Sequence, residues 1–196
     1  MAGTIVVRHP GFLAVGPARA RLLNAAVEAV GERGYVATTV ADVVRRARVS
    51  RGTFYAEFAS KEECFGEAFL LGCEVFEARL ARAVLSAADW SEGVRFATRA
   101  YLRGLAEDRC WARVYLLEAW HVPDLRDAAA GRLAERYRAG LARAGLPVPD
   151  GEVLYLLAIG TAETAARALR EGRDLAALEE PLADAALRVA VPVDGL

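Results

Sequence analysis

The chain has 196 residues, 55% of them apolar, which allows one or two domains with a sizeable buried core. No apolar run is long enough to cross a bilayer, and Arg8, His9, Pro10 and Gly11 break up the one partly apolar stretch near the start, which argues against a secretory leader. The net charge of −1 argues against a general nucleic-acid binder, but residues 1–61 carry nine basic and four acidic residues (net +5) and the remainder a net −6. A basic head on an acidic body is the asymmetry of a small nucleic-acid reader joined to a domain of another kind.

In chain order the elements read as helices throughout. Gly16-Pro17 suits a helix start, with Pro at the first helical position. Leu22, Leu23, Ala26, Val27 and Val30 recur at helical spacing until Gly34 stops the run. Thr39 to Asp42 reads as a near capping box for a short second helix burying Val40, Val43, Val44 and Ala47. After a tight turn at Arg48-Val49, Ser50 caps a third short helix whose Phe54 and Phe58 share one face. Three helices in so short a span, the last two joined by a tight turn, is a helix-turn-helix layout. Ser60-Lys61-Glu62-Glu63 is a full capping box for a long helix to about Ala87.

Asp89 caps the next helix, which carries Val94, Ala97, Tyr101 and Leu105. Arg109–Trp120 is read as a strongly apolar helix, and Pro123 opens another to about Ala144. Gly145 to Asp150 is a break, after which Asp150 caps a long apolar helix to Arg170 and Gly172 stops it. Asp174–Leu178 is one short turn, and Pro181 starts a final helix ending near Pro192. The expected fold is all-α: an N-terminal arm over 1–16, a three-helix helix-turn-helix domain over 17–62, and a helical domain over 63–196.

The stretch from Gly34-Tyr35 and Thr38-Thr39 through Val49-Ser50-Arg51-Gly52-Thr53-Phe54-Tyr55-Ala56-Glu57-Phe58 to Ser60-Lys61-Glu62 closely resembles the N-terminal domain of the tetracycline-repressor (TetR) family. The resemblance covers roughly a quarter of the chain; downstream, only length and helix pattern fit that family's ligand-binding and dimerisation domain. It implies a DNA-binding transcriptional regulator acting as a homodimer, most simply a ligand-responsive repressor, with Tyr55 and Lys61 gripping phosphates. The residues alone give compatible roles. With Phe54 and Phe58 inward, Arg51, Thr53, Tyr55 and Ala56 face outward at the start of a recognition helix. Arg51 suits guanine, Thr53 suits thymine or a phosphate, and Gly52 lets the backbone approach the duplex or the preceding helix. Lys61 and Thr39 sit at helix N-termini, where an anion is favoured. Thr39 and Ser50 also have a purely capping reading, Tyr55 a packing one, and Arg51 and Lys61 that of solvated charges. Two positions depart from common family usage: Glu57, whose carboxylate would repel phosphate and either faces solvent or accepts from a cytosine amino group, and Ala41, which offers no long side chain.

In the helical domain, Phe69, Cys73, Phe76, Tyr101, Leu105, Trp111 and Tyr115 are the expected walls of a cavity for a hydrophobic or aromatic effector, with Glu118 and His121 orienting it. The competing readings are that the aromatics fill a core, and that Glu118 and Glu163 pair with arginines such as Arg113, Arg126 or Arg167. Leu154, Leu157, Ala158, Thr161, Ala162 and Ala165, with Leu182, Ala185, Ala186 and Val189, form the expected dimer faces of the two last long helices.

Cys64, Cys73 and Cys110 fit neither a zinc pattern nor a disulfide framework and point to a reducing cytoplasm. His121 has only His9 as a companion, so no metal is expected, and no cofactor. No nucleophile elbow, phosphate-cradling loop or Ser/His/Asp order supports an enzyme. The expected partners are an operator duplex, a second copy of the chain and a small effector. The alternatives are a helix-turn-helix regulator without an effector, and a helical enzyme or carrier.

Overall fold

The computed structural model describes residues 16–190, so the expected arm before Gly16 and the chain end near Pro192 lie outside the described residues. Within them the chain is all-α, without a strand. The helices are α1 (Pro17–Arg33), α2 (Val40–Ala47), α3 (Arg51–Glu57), α4 (Lys61–Ala83), α5 (Trp90–Glu107), α6 (Arg109–Arg113), α7 (Pro123–Arg143), α8 (Gly151–Arg170) and α9 (Glu179–Ala190).

Packing divides the chain into two compact units that do not follow chain order. The first joins residues up to 77 with 107–126, and the second joins 78–106 with the residues from 127 onward. α4 and α7 are therefore each divided between the two.

The first unit forms because α1 has an apolar stripe to bury. Leu22, Leu23, Val27 and Val30 are at most 1% exposed, and the helix packs on α2 and on α6 with the residues after it. Gly34 ends α1 at φ +87°, a backbone conformation side chains resist. Thr39 and Asp42 complete the capping box of α2, and Ser50 accepts the Thr53 N–H to cap α3. Between them Arg48 takes a left-handed conformation (φ 55°, ψ 48°), which turns the chain sharply.

Three boundaries differ from those read in the sequence. α4 stops at Ala83 rather than Ala87, and α9 starts at Glu179, two residues before Pro181, which is tolerated because it lies in the first turn. The Arg109–Trp120 segment is not one regular helix. It runs as α6, then a π-helical turn over Val114–Glu118, then a 3-10 turn over Ala119–His121. The π turn, closed by the Ala119 N–H on the Val114 carbonyl, shifts the register of every later side chain in the segment.

The first unit's core is a run of aromatic rings. Tyr35 meets Phe65 at 5.1 Å between centroids, Phe65 meets Phe69 at 6.2 Å, and Phe69, Phe76, Trp111 and Tyr115 touch one another at 5.6–6.5 Å. Gly72 makes this possible, because a Cβ there would lie 2.4 Å from the Trp111 ring.

The second unit buries Leu141, Leu154 and Ala158 in one cluster and Val94, Ala183 and Ala186 in another, with Trp90 and Tyr137 packed against both. Asp89 accepts the Glu92 N–H at the start of α5, and Asp150 accepts the Glu152 N–H at the start of α8.

The Gly72 contact generates a stability prediction. Gly72→Ala forces the indole of Trp111 out of a filled site and costs about 1–3 kcal/mol. Thermal unfolding followed by near-ultraviolet circular dichroism reads both the lower midpoint and the altered tryptophan environment.

Candidate functional site

The outward face of α3 carries the first candidate site. Arg51, Gly52, Tyr55 and Ala56 are exposed, Thr53 is half-buried, and Phe54 and Phe58 are buried beneath them. Tyr55 is 57% exposed, its ring edge-on to Phe54 at 5.3 Å. A Cβ on Gly52 would meet only the Ser50 Oγ, at 3.6 Å. The preceding helix therefore does not require glycine here.

The capping roles of Thr39 and Ser50 are met within the chain. The Thr39 N–H and hydroxyl donate to Asp42 Oδ2 at 3.0 and 2.7 Å, and its Oγ1 accepts the Asp42 N–H at 3.2 Å. Arg33 and Arg45 each donate to Asp42 Oδ1 at 2.7 Å. The Thr39 hydroxyl and amide, with Arg45, hold the Asp42 carboxyl far below the usual carboxylate range. Ser50 Oγ accepts from Thr53 N and lies 2.9 Å from Thr53 Oγ1. Both capping residues remain exposed, so a phosphate can still approach them.

Glu57 is turned away from the outward face. Its carboxylate pairs with Arg19 at 3.3 Å, and Arg19 also donates to the Glu57 carbonyl at 2.8 Å and pairs with Glu67. The charge that would repel a phosphate is thereby compensated inside the protein. Sequence reasoning missed three exposed neighbours in chain order: Val36 at 74% exposure, Arg45, and Arg48 in the left-handed turn. An apolar residue in a Gly-Tyr loop and basic residues flanking a turn were the available signal.

Lys61 does more than face solvent. Its Nζ donates to the Tyr35 carbonyl at 2.8 Å and lies 4.0 Å above the Tyr35 ring, and burial lowers its pKa. An ammonium has three donors, so two remain for a phosphate. The Tyr35 N–H donates to Glu118 Oε2 at 2.8 Å, and Arg113 Nε donates to Glu118 Oε1 at 3.0 Å. Glu118 is 6% exposed, and the His121 ring stacks on Tyr35 at 6.5 Å.

Glu118 and His121, expected to orient a ligand, contact the loop that leads into α2. Of the expected walls, Phe69, Cys73, Phe76 and Trp111 are 0–5% exposed, and the three aromatic rings among them contact Tyr115. Leu105 is fully buried.

A cavity of about 460 Å³ lies in the second unit. Trp90, Tyr101, Leu133 and Tyr137 are among its walls, with Arg136, Arg143 and Asp89 as its charged residues. Of the expected lining only Tyr101 belongs to it. Thr161, read as a dimer residue, also lines this cavity and hydrogen-bonds the Tyr137 phenol, whose pKa burial raises.

The remaining expected dimer residues divide. Leu154, Ala158, Ala165, Leu182 and Ala186 are at most 8% exposed, facing the interior of the second unit, because the apolar side of each helix packs within the protomer. Leu157, Ala162, Ala185 and Val189 keep exposed surface. The outward side of α8 instead presents Val153 (40% exposed) and Leu156 (67%), with Gly160 on the same side. Glu163 pairs with Arg170 rather than Arg167.

Residues 22–68 match the sequence pattern of bacterial regulatory proteins of the TetR family. The match covers the helix-turn-helix segment, about a quarter of the chain. No curated protein matches the sequence. Solved structures share the fold over most of their length. The fatty acid degradation regulator FadR from Bacillus halodurans is 22% identical, with a TM-score of 0.71 over 88% of this chain and 96% of its own. FadR from Bacillus subtilis, solved in complex with stearoyl-CoA, is 21% identical, with a TM-score of 0.68 over 85% and 96%. A TetR-family transcriptional regulator from Streptomyces coelicolor is 19% identical, with a TM-score of 0.70 over 89% of both. At these identities the likeness establishes the fold. No described helix is long and apolar enough to cross a membrane.

The Tyr35 contacts yield a prediction. Glu118→Ala leaves a partly buried N–H without its acceptor and costs about 1–3 kcal/mol. Amide exchange at Tyr35 accelerates, while Glu118→Gln, which keeps a carbonyl acceptor, restores most of the protection. Unchanged Tyr35 exchange in Glu118→Ala contradicts the assignment.

Proposed function

We propose that the chain is a homodimeric, effector-responsive repressor that reads a near-palindromic operator, with residues 17–62 as the reader and 63–196 as the effector and dimerisation region. The observation that carries the DNA-reading part is the uncovered face of α3. It combines an arginine, a glycine with open space where a Cβ would stand, and a tyrosine 57% exposed. The N-terminal residues of a recognition helix reach base edges, and Arg51 suits a guanine edge. Lys61, Thr39, Ser50, Thr53 and Tyr55 contact phosphates or sugar near it. The effector part is supported by the cavity of the second unit, and by the acyl-CoA held by a relative of the same fold. An effector that favours one spacing of the two reader domains lowers operator affinity by population shift.

Gel shifts against the chain's own upstream DNA test the reading. Arg51→Ala costs about 1–3 kcal/mol on the cognate site and relaxes preference at one position per half-site. Gly52→Ala stabilises the free protein by about 0.4–1 kcal/mol, since its φ is ordinary for a helix, yet weakens operator binding. Equal binding by both variants and the parent contradicts α3 as the reading element.

Dimerisation is assigned to the outward side of α8 with Ala185 and Val189 of α9. An exposed leucine beside a valine and a glycine is the surface a second copy can cover. Leu156→Glu gives monomers in light scattering and loses operator affinity. A dimer that persists in Leu156→Glu contradicts this face.

A further inference from the structure

The turn between α2 and α3 holds an arginine where the backbone favours glycine. Arg48 ends α2 at φ 55° and ψ 48°, its N–H directed at the Arg45 and Val44 carbonyls. A left-handed residue at the end of a helix is usually glycine, because a Cβ there crowds the backbone. Among the described residues Arg48 is the only non-glycine with positive φ. Glycine would close the same turn without that cost, so the turn does not account for the arginine. Packing does not account for it either, since the residue is exposed.

Most other cations of the reader are compensated within it. Arg33 and Arg45 share Asp42, Arg46 pairs with Glu28 and Glu32, and Arg19 pairs with Glu57 and Glu67. Lys61 donates to the Tyr35 carbonyl. Arg21, Arg48 and Arg51 make no ion pair among the described residues, and of these three Arg48 and Arg51 bracket Ser50, the cap of α3. Two uncompensated guanidinium groups therefore stand either side of the point where the reading helix begins.

We propose that Arg48 grips a phosphate of the operator backbone beside the groove that α3 enters. Base edges are reached from the recognition helix itself, whereas phosphates flank the groove, within reach of a long side chain on the preceding turn. A guanidinium takes two phosphate oxygens with parallel hydrogen bonds, and Arg48 surrenders no ion pair to do so. The contact holds α3 in position and adds affinity without choosing a base. It rests on α3 as the DNA-reading element and supplies an anchor that lies off that helix.

The test measures binding of the full chain to its own upstream duplex and to a random duplex of equal length, by fluorescence anisotropy over a salt series. Arg48→Gly and Arg48→Asn both suit the left-handed turn and remove the charge. Both are expected to unfold no lower than the parent and to bind both duplexes about fivefold or more weakly. The slope of log affinity against log salt becomes shallower by about one unit per protomer bound, and Arg48→Lys keeps the parent slope. Preference among single-base variants of the upstream site stays that of the parent, unlike in Arg51→Ala. Parent affinity and slope in both neutral variants, a changed base preference, or a lower melting point in Arg48→Gly overturns the proposal. A parent that binds neither duplex overturns the DNA-reading proposal and this one with it. A parent that binds, with Arg51→Ala weakened and Arg48→Gly unaffected, counts against the Arg48 contact alone.

Discussion

Both backbone polar groups of Tyr35 are taken by side chains, the N–H by Glu118 and the carbonyl by Lys61. The geometry of the reader follows from this. Tyr35 begins the loop that delivers the chain to Thr39, the cap of α2, and Thr38 closes that loop on the Gly34 carbonyl at 2.7 Å. Glu118 is nearly buried, so its carboxylate must keep its donors or suffer a large desolvation cost. Gly34 is required twice over, by its positive φ and by the Glu118 oxygens 3.3–3.4 Å from where a Cβ would stand. The ring of Tyr35, covered by Lys61 and His121, continues into Phe65, Phe69 and Trp111. A polar clamp and an aromatic core thus fix one short loop, and the loop fixes α2 and α3.

The two units solve different physical problems. In the first, Gly31 and Gly72 let neighbouring segments approach so closely that a Cβ would lie 2.2 Å from Cys110 Sγ and 2.4 Å from Trp111 respectively. Such packing holds one geometry, which a reader of base edges needs. In the second, Trp90 and Tyr137 bridge two small clusters and leave a cavity beside them. Space at that point lowers local packing energy and is retained only where something occupies it or a structural compromise demands it. α4 and α7 have residues in both units, so each is covalently continuous from one to the other.

What the sequence made legible is local. Thr39 with Asp42, Ser50 with Thr53, Asp150 with Glu152 and the stop at Gly34 all depend on residues within four positions, and each is found in the structure. The outward set Arg51, Gly52, Tyr55 and Ala56 followed from the inward pair Phe54 and Phe58 by helical period alone. What stayed hidden depends on distant partners. Whether Phe69, Phe76, Trp111 and Tyr115 line a cavity or close one is decided by Gly72 admitting the Trp111 ring, which no periodicity records. Glu118 appeared free to face a ligand because its acceptor role for Tyr35 spans 83 residues and passes through a π turn that a regular helical count does not anticipate. The sides of α8 depend on distant partners in the same way. An apolar stripe says that something covers it, and here Leu154 and Ala158 are covered by the protomer itself.

The central claim is that α3 presents its uncovered face to DNA from a loop held by Glu118 and Lys61. Hydrogen–deuterium exchange of the full chain, with and without a duplex from its own upstream region, tests it most directly. New protection is predicted over residues 48–56 and at the exposed Val36, Ala37, Thr39 and Ala41, with Tyr35 already protected in the free protein. Protection confined to other segments, with residues 48–56 unchanged at saturating DNA, contradicts it.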